Sequence, residues 1–111
     1  MIVLHGLRAC DTCRKALRDL RESGRDVRLR DLREEPPTDG ELARWTEALG
    51  PAILNRRSTT WRQLDETERA RPAAALLRAH PTLVKRPVVE APQGLALGWT
   101  PAARDMLGLG T

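Results

Sequence analysis

An α/β fold with the order β-α-β, helices, β-β-α is predicted by three features of this sequence. A short β-favouring apolar run, Ile2-Val3-Leu4, opens the chain. A helical stripe, Cys13, Ala16, Leu17 and Leu20, follows at spacings i, i+3, i+4 and i+7. Near the other end, two short apolar runs flank a turn and lead into a capped helix.

Taken in order, Ile2-Val3-Leu4 reads as a buried strand that ends in the loop begun by Gly6, and that loop carries Cys10. The helix begins at Asp11, turns Cys13 toward the core, and stops at Ser23-Gly24. Val27 and Leu29 alternate with charged residues as a second strand, which Glu34-Glu35-Pro36-Pro37 breaks. Thr38-Asp39-Gly40-Glu41 has the form of a capping box, in which a Thr hydroxyl and a Glu carboxylate satisfy orphan amides. Leu42, Trp45 and Leu49 continue that helix to Gly50-Pro51. Residues 53–60 read as irregular, Trp61 to Leu64 as a short turn of helix, and Arg71 to Ala79 as a further helix ended by His80-Pro81. Val88-Val89-Glu90 and Leu95-Ala96-Leu97-Gly98 form an antiparallel hairpin about Pro92-Gln93-Gly94. Thr100 as N-cap and Pro101 at the first helical position start the last helix, with Ala103, Met106 and Leu107 as its buried stripe.

At 111 residues the chain is expected to form one domain spanning residues 1–111. Hydrophobic residues make up 41% and charged residues 31%, enough apolar surface for a core and enough charge to solvate its outside. No apolar run reaches the roughly 18 residues of a membrane span, and Met1 to Leu4 is too short for the apolar region of a signal peptide. A cytoplasmic location without membrane association is the expectation. The formal charge of +4 is spread over arginines interleaved with acids, as in Arg18, Asp19, Arg21 and Glu22, and three Trp without Phe or Tyr offer no base-stacking platform. Direct nucleic-acid binding is therefore not expected. No metal site is expected either, because His5 and His80 are the sole further soft ligands beside two cysteines.

The spacing Cys10-Asp11-Thr12-Cys13 points to redox or nucleophile chemistry. A cysteine just ahead of a helix meets unpaired backbone N–H groups and the positive end of the helix dipole, which favour thiolate over thiol. Cys10 fits that description, with Arg8, Arg14 and Lys15 nearby in sequence; an inert packed thiol is the alternative. Cys13, one turn on, has two open readings: a resolving thiol, or a core residue of its apolar stripe. Helix amides with arginine forks also bind oxyanions, and Arg56, Arg57 and Arg86 are the candidates for that role.

The stretch from Gly6 to Ala16, Gly-Leu-Arg-Ala-Cys-Asp-Thr-Cys-Arg-Lys-Ala, resembles the active-site loop of the ArsC/Spx family. Leu54-Asn55-Arg56-Arg57-Ser58-Thr59-Thr60-Trp61, His80-Pro81 and Lys85-Arg86-Pro87-Val88-Val89 follow in the family's order, so the resemblance covers essentially the whole chain. It implies a thioredoxin-like fold with a helical insertion and a mixed four-stranded sheet. In the arsenate-reductase branch it implies Cys10 as the thiolate that attacks the oxyanion, with no bound cofactor and with glutathione, helped by glutaredoxin, as co-substrate.

Arg86 matches one anion-binding arginine of that branch, Arg57 another, and a one-residue shift would place Arg56 there instead; Pro87 matches the structural cis-proline. Where the branch carries a third arginine, this chain has Gly98-Trp99-Thr100-Pro101. The Asn55 to Trp61 wording is similar to that of short, uncharacterised, glutathione-associated reductase-like members. The expected function is thus a thiol-dependent oxidoreductase acting through Cys10 on an oxyanion or a glutathione mixed disulfide, with Cys13 resolving or packing. The alternative implied by the Spx branch is a redox-sensing regulator that binds the RNA polymerase alpha subunit.

Overall fold

The structure is a computed structural model and describes residues 1–109. Two compact units make it up: Met1–Glu35 with the chain from Arg86 onward, and Pro36–Lys85.

The first unit holds the sheet. Strands β1 (Ile2–Gly6) and β2 (Val27–Asp31) are parallel and joined by helix α1 (Asp11–Glu22). In the second unit come α2 (Asp39–Leu49), α3 (Thr59–Gln63), α4 (Glu66–Arg69) and α5 (Ala73–Ala79). The chain returns as the antiparallel pair β3 (Val88–Ala91) and β4 (Gly94–Leu97), then closes with α6 (Pro101–Met106). Strand order is β2-β1-β3-β4, with β1 antiparallel to β3, so the sheet is mixed and four-stranded as the resemblance implies.

Strand β1 runs two residues further than its apolar run suggests, because tertiary partners admit His5 and Gly6. Arg30 Nη1 donates to His5 Nδ1 at 3.2 Å, which leaves the Nε2–H to donate to Glu90 Oε1 at 2.9 Å. A buried imidazole bonded through both nitrogens sits in a strand without penalty. The core of this unit is Leu4, Cys13, Ala16, Leu20, Val89, Ala96, Ala103 and Leu107, in agreement with the stripe assigned to α1. Met106 departs from expectation: it is exposed, because the inward stripe runs through Ala103 and Leu107, four residues apart, and Met106 lies off that face.

Asp19 on α1 gathers three donors, from Lys15 Nζ at 2.9 Å, Trp99 Nε1 at 2.9 Å and Arg104 Nη1 at 2.8 Å. Lys15 first and then Trp99 hold its carboxyl below the usual range. The cluster ties the segment after β4 to α1, with the Arg104 guanidinium stacked on the Trp99 ring at 5.5 Å.

The second unit packs α2 against α5 around Leu42, Trp45, Leu76 and Leu77, with Ile53, Leu83 and Val84 also fully or nearly fully buried. The capping box of α2 is present on both sides: Thr38 Oγ1 accepts from the Glu41 N–H at 3.1 Å, and Glu41 Oε1 accepts from the Thr38 N–H at 2.9 Å. Thr38→Ala removes one half of it and is expected to cost about 1 kcal/mol, measured by urea unfolding; no change in midpoint would mean that water replaces the hydroxyl fully.

Elsewhere this unit differs from the pattern reading. The helix expected from Arg71 begins at Ala73, since Pro72 biases the residue before it away from helical backbone. A separate short helix, α4, precedes it, and its cap is Asp65, whose carboxylate accepts from the Glu68 N–H at 2.8 Å. A 3-10 turn, Gly50–Ile53, follows α2 and runs into the irregular stretch, in which Leu54 forms an isolated antiparallel bridge with Val84. The short turn expected at Trp61 is α3, started two residues earlier by Ser58, whose hydroxyl accepts from the Trp61 N–H at 3.1 Å. Among the described residues no helix is long and apolar enough to cross a membrane.

Candidate active site

The loop from Leu7 to Cys10 leaves the C-terminal end of β1 and turns back on itself, with the Cys10 N–H donating to the Leu7 carbonyl at 3.0 Å. Cys10 then occupies the N-cap position of α1 with extended backbone, and its carbonyl accepts the first helical bond from the Arg14 N–H at 3.0 Å. The side chain closes no cap hydrogen bond of its own. Its sulfur is left at the positive end of a twelve-residue helix, where negative charge is favoured.

Electrostatics follow the geometry. Burial opposes ionisation of Cys10, but the Cys13 N–H, the Cys13 thiol and the Arg86 guanidinium outweigh it and hold the Cys10 thiol below its ordinary value. Cys13 moves the other way. It is completely buried, and burial first, then the neighbouring Cys10 sulfur, pushes its thiol up to about 12. Both cysteines are unbridged thiols with opposite tendencies: one inclined to thiolate, the other held protonated.

The cations adjacent in sequence are engaged elsewhere. Arg14 pairs with Asp11, Lys15 with Asp19 at 2.9 Å, and Arg8 with Glu34 at 3.4 Å. The cation that acts on Cys10 is Arg86, 76 positions downstream, and the sheet register brings it there: Val88 faces His5 across β3 and β1, so Arg86-Pro87 emerges at the same end of the sheet as the Cys10 loop. The Arg86-Pro87 peptide bond is cis, as the family resemblance implies.

Two residues outside the sequence prediction support this loop. Asp31, buried at the end of β2, accepts from the Arg8 N–H at 2.9 Å and from the Arg33 N–H at 2.8 Å. The Arg8 amide is the foremost cause of its lowered pKa. The carboxylate therefore pins the Cys10 loop to the neighbouring strand; a lone Asp at the end of an alternating strand carries no sequence signal of that task. Gly6 is the second. A Cβ there would collide with the Cys13 sulfur and come within 3.3 Å of its Cβ, so glycine is what lets Cys13 seat against β1.

Of the site residues read from the sequence, Cys10, Cys13, Arg86 and Pro87 come together on the first unit. Arg56 and Arg57 lie exposed on the second, at a pocket they line with Lys85. In the stretch Gly98-Trp99-Thr100-Pro101, where the resemblance implies a third arginine, the Trp99 indole is committed to Asp19.

The ArsC family model matches residues 5–105. An uncharacterised protein of Haemophilus influenzae is 35% identical over 94 residues, 80% of this chain and 82% of its own. Among solved structures, a YffB protein is 34% identical with a TM-score of 0.87, over 95% of this chain and 96% of that one. An arsenate reductase (ArsC) related protein from Brucella melitensis is 34% identical with a TM-score of 0.72, over 94% and 91%. With a family match across nearly its whole length, and with the thioredoxin-like fold shared with these structures, the chain belongs to the ArsC family.

Proposed function

We propose that this chain is a thiol-dependent reductase in which Cys10 is the nucleophile and glutathione, with glutaredoxin, supplies the electrons. The observation that carries the reading is the division of labour at α1: a Cys10 sulfur inclined to thiolate beside Arg86, and a buried Cys13 that keeps its proton. On a glutathione mixed disulfide, the Cys10 thiolate attacks the glutathione sulfur, the substrate thiolate leaves, and Cys10 becomes glutathionylated. A second glutathione thiolate then attacks that adduct, which restores Cys10 and releases glutathione disulfide. On an oxyanion the Cys10 thiolate bonds the central atom while one hydroxyl takes a proton from solvent and leaves as water, with Arg86 offsetting the negative charge; a glutathione thiolate then attacks the Cys10 sulfur, so that the central atom departs reduced by two electrons and Cys10 is left glutathionylated for the same release by a second glutathione. The description of the Brucella melitensis relative as arsenate reductase related makes arsenate the first oxyanion to try.

An external thiol suits the second step better than Cys13. With its thiol pushed up to about 12, Cys13 stays protonated at pH 7, and thiol exchange proceeds through the thiolate. The test is an NADPH-coupled assay with glutathione, glutathione reductase and glutaredoxin, given arsenate or a glutathione mixed disulfide. Cys13→Ala is expected to keep turnover within about tenfold of the wild type, and Cys10→Ser to lose it. Turnover that vanished in Cys13→Ala while the variant stayed folded would make Cys13 the resolving thiol; no wild-type turnover on either substrate would sink the reductase reading.

A further inference from the structure

We infer that Asp31 is a positioning residue for Cys10: by holding the Arg8 N–H it fixes the turn that seats the sulfur at the start of α1, and so keeps Cys10 reactive. This role deepens the reading of Cys10 as nucleophile and rests on it.

The anchor is rigid before the turn reaches it. Asp31 pairs with Gly6 in the parallel register of β2 and β1, and its carbonyl accepts from the Glu34 and Glu35 N–H groups at 3.2 and 2.9 Å. A further bond, from the Leu32 N–H to the Gly6 carbonyl at 2.8 Å, closes the strand pair where the chain departs toward Cys10. Leu7 to Cys10 is a four-residue turn, closed by the Cys10 N–H on the Leu7 carbonyl at 3.0 Å. Its two middle residues, Arg8 and Ala9, are exposed, so packing gives little hold on them. The carboxylate takes hold at the Arg8 N–H, at 2.9 Å, while its other oxygen accepts from the Arg33 N–H at 2.8 Å.

A carboxylate that is only 7% exposed is costly to desolvate, and charge-assisted bonds from backbone amides offset that cost. An exposed turn can satisfy its N–H groups with water; satisfying one with a buried charge fixes where the turn sits. The Arg8 side chain cannot supply that hold, since its pair with Glu34 is 3.4 Å long and more than half exposed on both sides. Cys10 lies two residues beyond the anchored amide. The groups that favour its thiolate, namely the Cys13 N–H and thiol, the Arg86 guanidinium and the start of α1, act over short distances, and a turn that shifts carries the sulfur away from them.

Sign separates positioning from charge. Deleting a negative charge favours a nearby thiolate, so Asp31 acting through its field alone would give Asp31→Ala a lower Cys10 midpoint. Release of the turn acts in the opposite direction. Iodoacetamide alkylation against pH, on the full chain, is expected to place the Cys10 midpoint of Asp31→Ala about half a pH unit or more above the parent's, the size of a helix-end interaction. Arg8→Pro breaks the same bond from the other side, because proline has no N–H and is favoured at the second place of a turn. It should raise the midpoint relative to Arg8→Ala, which drops the side chain and keeps the N–H. Asp31→Ala added to Arg8→Pro should then raise it no further. A lower midpoint in Asp31→Ala, or an unchanged one beside a loss of stability in urea, would overturn the inference; so would equal midpoints in Arg8→Pro and Arg8→Ala, or a fully additive rise in the double variant. If Asp31→Ala fails to fold, the two Arg8 variants decide alone. The parent's own midpoint bears on a different matter: at or above the ordinary thiol value it removes the nucleophile reading, whereas the differences among variants judge Asp31.

Discussion

Iodoacetamide titrated against pH will alkylate Cys10 with a midpoint below the ordinary thiol value, and Cys13 will stay unmodified in the folded chain. The rate follows the thiolate fraction, so it is flat above the Cys10 midpoint and falls tenfold per pH unit beneath it. Burial works against this result; the Cys13 N–H and thiol and the Arg86 guanidinium produce it. Arg86→Ala should therefore move the midpoint upward and raise KM for an anionic substrate, whereas Arg14→Ala, whose guanidinium is turned to Asp11, should do neither. Cys10→Ser should abolish alkylation and reduce turnover by roughly a thousandfold or more, the scale on which a nucleophile's removal is felt. A midpoint at or above the ordinary value would show that burial wins and that the loop holds an inert thiol.

The same shifts enter folding, with opposite signs. A Cys10 thiol lowered in the folded state contributes stability that is present above the unfolded thiol's pKa and lost as pH falls through the folded one. For Cys13, raised to about 12, the contribution is full below the unfolded value and is lost as pH rises toward 12. Urea midpoints for Cys13→Ala and its parent should accordingly converge in alkali.

Gly6→Ala is the stability change with the largest expected effect, about 1–3 kcal/mol by urea unfolding. The added Cβ meets the Cys13 sulfur, and neither side can yield: Gly6 is in the paired part of β1, and Cys13 is fixed by α1 with none of its surface exposed. Cys13→Ala removes the sulfur that is struck. The Gly6→Ala/Cys13→Ala pair should hence be more stable than the sum of the single changes allows, a coupling that a double-mutant cycle reads directly. Additive losses would show that the strand and helix separate freely, and that glycine is not what seats Cys13.

How far each feature was legible depended on the range of the interaction behind it. The start of β1, helix α1, the capping box of α2, the hairpin and the start of α6 all rest on periodicity or capping within a few residues and are legible in the sequence, whereas the last two residues of β1, His5 and Gly6, are not. Cys10 belonged to this class too, because a cysteine ahead of a helical stripe is a local pattern. The start of α5 and the existence of α4 were also local, but Pro72 and the Asp65 cap were weaker signals than the apolar stripe that masked them.

By itself, then, the sequence determined the order of the main elements, the position of Cys10 at a helix start, and the inward face of Cys13. Tertiary structure alone decided which of many cations acts on Cys10, since Arg8, Arg14 and Lys15 find carboxylates while the His5 to Val88 register delivers Arg86. It also decided that Asp31 pins the loop, that Gly6 makes room for Cys13, and that Arg56, Arg57 and Lys85 share one pocket. The reason is physical: helix periods and caps are written in neighbouring residues, whereas charge pairing and close packing depend on contacts made only when distant segments meet.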